Sequence, residues 1–220
     1  MDALLIVGAS GHAKVVADIV ERQGLWRVAG FIDATLPAGA GHFGLPVLGG
    51  EDALVQAARA HGVRALLVAI GDNAVRARVA GRLAALAPGL AFATAVHPAA
   101  SIARGAAIGP GSVVMPGAVL GPDTRVGSHC IVNTGASLDH DGVLEDFASL
   151  GPGAALGGNV RVGTFAHVGL GASVIHGVSV GEHAVLGAGA VAVADVPARV
   201  VALGVPARAV RGREPGERYY

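Results

Sequence analysis

Fifteen aliphatic residues recur at a strict spacing of six along the second half of this chain, with no insertion. They are Ile102, Ile108, Val114, Leu120, Val126, Val132, Leu138, Leu144, Leu150, Leu156, Val162, Val168, Val174, Val180 and Leu186. Four residues after each stands a small or slim side chain, from Ala106 and Ser112 through Cys130 and Ala136 to Ala184 and Ala190. The residue directly after the aliphatic is glycine in nine of the fifteen repeats. Neither the helical period nor the alternation of a strand produces this pattern. A fixed short period is the mark of a solenoid. The physical solution is a parallel β-helix, in which each hexapeptide supplies one short strand and one corner. The aliphatic fills the interior, and the small residue four positions on is expected to let the chain round the corner. Three hexapeptides make a triangular coil, so the repeat predicts five coils, stacked at ~4.8 Å into a prism roughly 24 Å long.

Composition narrows what such a chain can do. The formal net charge is zero, with 16 basic and 16 acidic residues, so no electrostatic footprint for nucleic acid or an anionic membrane is present. Hydropathy is high, yet glycine interrupts every apolar run, and no membrane span is expected. The N-terminus passes directly into a strand pattern without a basic leader, which predicts a cytoplasmic protein. The lone Cys130 occupies a small-residue slot and is expected to be a buried structural thiol; one cysteine allows no disulfide and no cysteine zinc site. No cluster of His, Asp and Glu has ligand spacing, so no metal is expected.

Ahead of the repeat the pattern is different. Residues 3–7 form an apolar run that ends in Gly8-Ala9-Ser10-Gly11-His12. A helical pattern follows, with Val15, Val16, Ile19 and Val20 inward and Gly24 as its stop. Residues 28–32 read as a second strand closed by Asp33, 34–50 as loop, 51–61 as helix, 65–70 as strand, 73–86 as helix and 90–96 as a fourth strand. Alternating β and α units predict a small, Rossmann-like parallel sheet. The expected organisation is an α/β domain over residues 1–97, an all-β parallel β-helix with a C-terminal cap over 98–212, and a tail over 213–220.

Three loops of the first domain fall on one edge of its sheet. The glycines of residues 8–12 sit between a strand and a helix, where backbone N–H groups and the helix N-terminus favour a phosphate. This is not a full G-x-G-x-x-G, and a tight turn without a ligand explains it equally well. Asp33 ends the next strand, where a carboxylate meets a ribose or base in nucleotide sites. Gly71-Asp72-Asn73 follows the third strand. Their convergence predicts a nucleotide crevice formed by Ser10, Gly11, His12, Asp33 and Gly71.

In the repeat, His140 stands two residues after the inward Leu138, which puts it outside the prism near a corner, flanked by Asp139 and Asp141. A carboxylate on one ring nitrogen raises the basicity of the other. The same pattern also describes a surface histidine between surface acids. The 18-residue coil period places His140, Gly158 and His176 in one column. Two coils separate the histidines by roughly 10 Å, too far for direct proton exchange, and Gly158 leaves an opening for a flat ligand to pass His140. His129, Phe147, Phe165 and His183 form a second column, expected to stack.

These residues, with Phe31-Ile32-Asp33, Asn133-Thr134, Gly157-Gly158-Asn159-Val160 and Gly204-Val205-Pro206-Ala207, resemble those of the hexapeptide-repeat nucleotide-sugar acetyltransferases. That family comprises bacterial sugar N-acetyltransferases of glycan (O-antigen or glycoprotein) biosynthesis and the sialic acid O-acetyltransferase-like group. The resemblance spans about residues 3–211. It implies a nucleotide-sugar-binding α/β domain, a left-handed β-helix and a homotrimer. It implies acetyl transfer from acetyl-CoA to the amine of a nucleotide-linked amino sugar, with His140 as general base and Asp141 orienting it. Relatives more often carry Glu at the latter place. Acetyl-CoA would contact Gly158, Leu170 and Ala188 between neighbouring subunits. Ser149 stands where relatives often have a second histidine near the thioester. O-acetylation of a free sugar such as sialic acid, and a nucleotide-binding scaffold without chemistry, remain alternatives at this point, as does the choice between uridine and guanosine.

Overall fold

The computed structural model describes residues 1–218 and divides into two compact units. The first comprises residues 1–71 with 75–98; the second comprises 72–74 with the chain from Ala99 onward.

The first unit is built on a four-stranded parallel sheet of order β2-β1-β5-β6. Its strands are β1 (Ala3–Val7), β2 (Arg27–Ile32), β5 (Val63–Val68) and β6 (Ala91–Phe92), and β3 (Gly41–His42) pairs with β4 (Leu45–Pro46) in a small hairpin. The apolar run of β1 is buried along its whole length because it lies inside the sheet. Helix α1 (Gly11–Gln23) begins after Ser10 and ends at Gly24, whose φ of 69° and N–H bond to Val20 O close it. Ala13, Val16, Ala17, Ile19 and Val20 form its buried face, whereas Val15, expected inward, is exposed. Residues 34–50 hold the hairpin rather than plain loop. The expected 51–61 helix starts as a 3-10 turn (Glu51–Ala53) before α2 (Leu54–His61). Helix α3 spans Asn73–Leu86. The fourth-strand region breaks into β6 and a separate pair, Ala95–Val96.

The second unit is the solenoid. Two-residue strands pair in parallel at a separation of 18, as in Val119↔Ser137, Ser137↔Ala155 and Ala155↔Ser173. Three faces result. Face one carries the strands from Ser101–Ile102 to Val191–Ala192, face two those from Ala107–Ile108 to Ser179–Val180, and face three those from Val113–Val114 to Val200–Leu203. Faces one and three thus run past the fifteen repeats: Val191–Ala192 and Val200–Leu203 extend the stack beyond five coils, to about six turns. A last strand, Arg208–Gly212, turns back antiparallel on Val200–Leu203.

The aliphatics fill the interior as predicted, with Leu120, Leu138, Leu144, Val162 and Leu186 fully buried. The corner chemistry differs from the expectation. The small residues four after the aliphatic, such as Ala136, Ala148 and Cys130, are also fully buried and line the core. The residue that turns the chain is the one before them. Backbone φ is positive at Gly105, Gly111, Gly117, Asp123, His129, Gly135, Asp141, Phe147, Gly153, Asn159, Phe165, Gly171, Gly177, His183 and Gly189, one in every hexapeptide. Glycine, Asn and Asp adopt this left-handed conformation at least cost. Where His and Phe adopt it, their rings stack: His129, Phe147, Phe165 and His183 lie with centroids 5.0, 5.4 and 4.7 Å apart and nearly parallel planes.

The glycines after the aliphatics answer a separate constraint. A Cβ on Gly121 would lie 2.7 Å from the backbone N of His140 in the next coil. Gly121→Ala is therefore expected to cost about 1–3 kcal/mol by forcing coils apart. Gly135, at φ 65° with no atom near its absent Cβ, should accept Asn within about 1 kcal/mol. Thermal unfolding of the two variants checks the ranking.

Candidate active site

The catalytic candidates lie on the edge where face one turns into face two. The chain leaves the strand Ser137–Leu138, turns at Asp141 with φ 58°, and enters Val143–Leu144. The turn is tied to its neighbours: Asp141 N–H donates to Pro122 O, and Asn159 N–H donates to His140 O. Asp139 Oδ1 accepts the His140 N–H at 2.7 Å. On this fixed turn His140 Nδ1 and Asp141 Oδ2 are 2.8 Å apart, both side chains about half exposed. The hydrogen bond to Asp141 holds the His140 pKa above the ordinary histidine value, against some desolvation and with further help from the Asp139 and Asp141 charges. With Nδ1 committed to the carboxylate, Nε2 is the nitrogen that can take a proton.

The position of the His140 ring departs from the expectation. A Cβ on Gly158 would lie 2.3 Å from His140 Nε2 and 2.5 Å from Cε1. The opening above Gly158 is filled by the imidazole itself. Leaning across it, His140 brings its centroid to 6.0 Å from that of His176, well inside the roughly 10 Å that coil spacing alone predicts.

The other predicted residues of the repeat do not gather here. Ser149 lies on face three, 3% exposed, with its Oγ 2.8 Å from His167 Nδ1 one coil along. Leu170 and Ala188 are exposed and stand two residues after the face-three strands ending at Val168 and Leu186, on the edge where face three turns into face one. Within one chain, only Gly158 accompanies His140 and Asp141. Exposed apolar side chains, among them Val119, Leu170, Ile175 and Val193, lie along the outside of the solenoid.

In the first unit the predicted residues share the carboxyl edge of the sheet. Gly8 takes a φ of 102°, where a Cβ would meet Ala69 O at 3.0 Å. Ser10 is the N-cap of α1, though its side chain makes no capping bond, and Gly11 is exposed with no atom near its absent Cβ. Asp33 clasps two loops. Its Oδ2 accepts the Ala9 N–H at 2.8 Å, and its Oδ1 accepts from Thr35 N, Thr35 Oγ1 and Leu36 N. Burial pushes its pKa up, but these hydrogen bonds outweigh it and hold the carboxyl below its usual value. The carboxylate is thus engaged in shaping the edge. A groove of about 570 Å³ opens beside it, lined by Asp33, Ala34, Leu36, Leu48, Gly49 and Asp52.

His12 is lowered to about pKa 4 by burial and by the nearby Arg76 charge, so it is a neutral imidazole. Among the described residues, its Nε2 has no hydrogen-bond partner. Arg76 is 1% exposed and donates from Nη1 to Ile70 O and Gly71 O, both at 2.9 Å, so it fixes the predicted Gly71 loop. The sequence reading passed over Arg76. Its signal is its spacing with Val79, Ala80 and Leu83, which places a charge on the inward face of α3. His42 was also missed; its ring packs edge-on against Phe31, and its Nε2 lies 3.3 Å from Ser10 O.

No group of three or more His, Cys, Asp or Glu among the described residues is arranged to hold a metal. Among the described residues, no helix is long and apolar enough to cross a membrane.

A hexapeptide solenoid with a histidine–carboxylate pair on its edge, joined to a small parallel α/β unit, defines a class of bacterial transferase. Residues 96–139 match the family model "Bacterial transferase hexapeptide (six repeats)", and residues 3–83 match "PglD N-terminal domain". A solved GDP-perosamine N-acetyltransferase from Caulobacter crescentus, a histidine-to-alanine variant in complex with CoA and GDP-perosamine, is 38% identical. The match covers 96% of this chain and 98% of that one, with a TM-score of 0.90. The acetyltransferase domain of PglB from Neisseria gonorrhoeae is 34% identical over 96% of this chain and 100% of that one, with a TM-score of 0.87. WeeI from Acinetobacter baumannii is 28% identical over 96% and 100%, with a TM-score of 0.85. The sequence matches none of the curated proteins compared with it. The chain belongs to the family of hexapeptide-repeat nucleotide-sugar N-acetyltransferases.

Asp141 favours the charged imidazole, so its removal acts in one direction. Asp141→Asn should lower the titration midpoint of His140, read by NMR of the ring signals, because the hydrogen bond and the charge that raise it are lost.

Proposed function

We propose that this protein transfers the acetyl group of acetyl-CoA to the amine of a nucleotide-linked amino sugar, with His140 as general base and Asp141 orienting it. The observation that carries the reading is the His140–Asp141 pair, with Nδ1 committed and Nε2 turned over Gly158. The relatives add to it. The Caulobacter enzyme was solved with CoA and GDP-perosamine, and the Neisseria domain with acetyl coenzyme A. Guanosine is the base that the Caulobacter relative favours here over uridine.

An alkylammonium has no lone pair with which to attack a thioester, so the reaction needs the amine neutral. The amine nitrogen bonds to the acetyl carbon while His140 Nε2 accepts its proton, and the imidazolium is stabilised by Asp141. Backbone N–H groups at a coil corner stabilise the oxyanion. The C–S bond then breaks and the thiolate leaves, taking a proton from solvent. No covalent enzyme intermediate is required, and Cys130, fully buried, is no nucleophile.

The nucleotide part of the substrate is assigned to the first unit. The phosphates go to the amides after Gly8 at the start of α1, beside Ser10, Gly11 and His12. The nucleoside goes to the groove next to Asp33, with Gly71 held by Arg76 at its side. For the acetyl-CoA residues, a homotrimer is the assembly that fits. Ser149, Leu170 and Ala188 stand away from the His140 edge within one chain, and a second copy would bring a face-three edge to it. Covering exposed Val119, Leu170, Ile175 and Val193 favours such packing. A cytoplasmic location follows from acetyl-CoA as donor.

The test is CoA release from acetyl-CoA in the presence of GDP- and UDP-linked amino sugars. His140→Ala is expected to cut turnover by roughly 10²–10⁴-fold with little change in binding. Near-wild-type turnover at saturating substrate would remove His140 from the role, and activity on free sialic acid alone would favour O-acetylation instead. Gly11→Leu fits the open space at that position, so it should weaken nucleotide-sugar binding and leave acetyl-CoA binding intact. Sedimentation at micromolar concentration should show trimers; a stable monomer would contradict the assembly.

A further inference from the structure

A general base that has taken a proton must lose it before the next cycle. Asp141 works against that loss, because its carboxylate stabilises the imidazolium. The structure places a second imidazole on the other side of the ring. His176 sits two coils along in the same column, and its centroid is 6.0 Å from that of His140 with the planes inclined at 44°. Gly158, in the coil between them, makes the approach possible. A side chain there would take the space that His140 Nε2 and Cε1 occupy. The intervening backbone is also fixed, since Asn159 N–H donates to His140 O and Gly177 N–H donates to Gly158 O. His176 is exposed and therefore in contact with bulk water.

We propose that His176 is a positioning residue for the reaction: acting through His140, it opposes the charge on the imidazolium and, through one bridging water, receives the Nε2 proton and passes it to solvent. The proposal rests on the reading of His140 as the base. At 6.0 Å between centroids the rings are too far apart for a direct hydrogen bond, and a single water spans such a gap. The step balances without a further reactant. The N–H bond of His140 Nε2 breaks, an N–H bond forms on His176 through the water, and His176 then returns the proton to bulk. At this distance a positive charge on one ring would disfavour a positive charge on the other.

Carboxylates flank the pair, and Arg161, the register partner of Ser179 on face two, is paired with Glu145. Asp139 and Asp141 lie on the turn of His140, and Asp123 occupies the corner one coil below Asp141. Asp195 lies beyond the strand Val191–Ala192 and accepts the Ser179 N–H. Asp139 and Asp141 favour the imidazolium, whereas a positive charge on His176 would work against it.

The experiment is an NMR titration of the His140 ring in the full-length protein, paired with the pH dependence of kcat/KM, for wild type, His176→Gln and His176→Lys. In His176→Gln the His140 midpoint should rise by a few tenths of a unit to about one unit, as loss of a like charge at this distance near water allows. The acidic limb of kcat/KM should move up with it, and both KM values should stay as in wild type. In His176→Lys, whose charge is permanent, the midpoint should fall. A midpoint that stays put in both folded variants overturns the proposal, whatever the activity of His140→Ala. A midpoint that moves while the kinetic limb stays put would contradict the role of His140 as base and leave the coupling of the two rings standing.

Discussion

The solenoid depends on one constraint: each coil lies in hydrogen-bond register on the coil 18 residues before it. The parallel pairs Ser137↔Ala155 and Ala155↔Ser173 are the backbone form of that rule. It aligns residues of unrelated chemistry into columns and sets their spacing. It also demands that little project between coils, which is why a Cβ on Gly121 would strike the backbone at His140. The left-handed corner residue in each hexapeptide then turns every strand into the next at the same place. Asp141 is one of these corner residues, so the orienting carboxylate is delivered by the fold and not by a flexible loop.

The same register arranges the site. His140 immediately precedes a corner and projects from the edge. Gly158, one coil on, supplies the space its ring leans into, and His176, two coils on, receives it. An imidazole held by a carboxylate on one nitrogen and seated over a glycine on the other side is preorganised without a dedicated loop. In the first unit the organising group is again a carboxylate: Asp33 binds the amide of Ala9 and those of Thr35 and Leu36, and so draws two loops onto one edge of the sheet.

Much of this was legible in the residues. A six-residue period admits few folds, so the solenoid, its core aliphatics and the outward register of His140 could all be read from spacing. The alternation ahead of it gave the parallel sheet. What spacing could not supply was direction. The chain turns on a position whose identity varies among Gly, Asp, Asn, His and Phe, and a variable position carries no compositional signal; the uniform small residue beside it drew the assignment instead. The opening at Gly158 was visible, but only side-chain geometry reveals that His140 fills it. Asp33 stood out as a ligand carboxylate, yet the distant Ala9 amide and the Thr35 and Leu36 amides of its own turn engage it. Arg76 was hidden because a buried arginine on a helix looks like a surface one until its apolar neighbours at helical spacing are counted.

The central claim is that the gap at Gly158 sets the direction of the His140 imidazole. Gly158→Ala tests it most directly. The added methyl meets the movable His140 ring rather than backbone, so the coils should remain stacked while the imidazole is displaced. Turnover at saturating substrate should fall toward that of His140→Ala, with the thermal unfolding profile close to wild type. A folded Gly158→Ala protein with wild-type turnover would contradict the account.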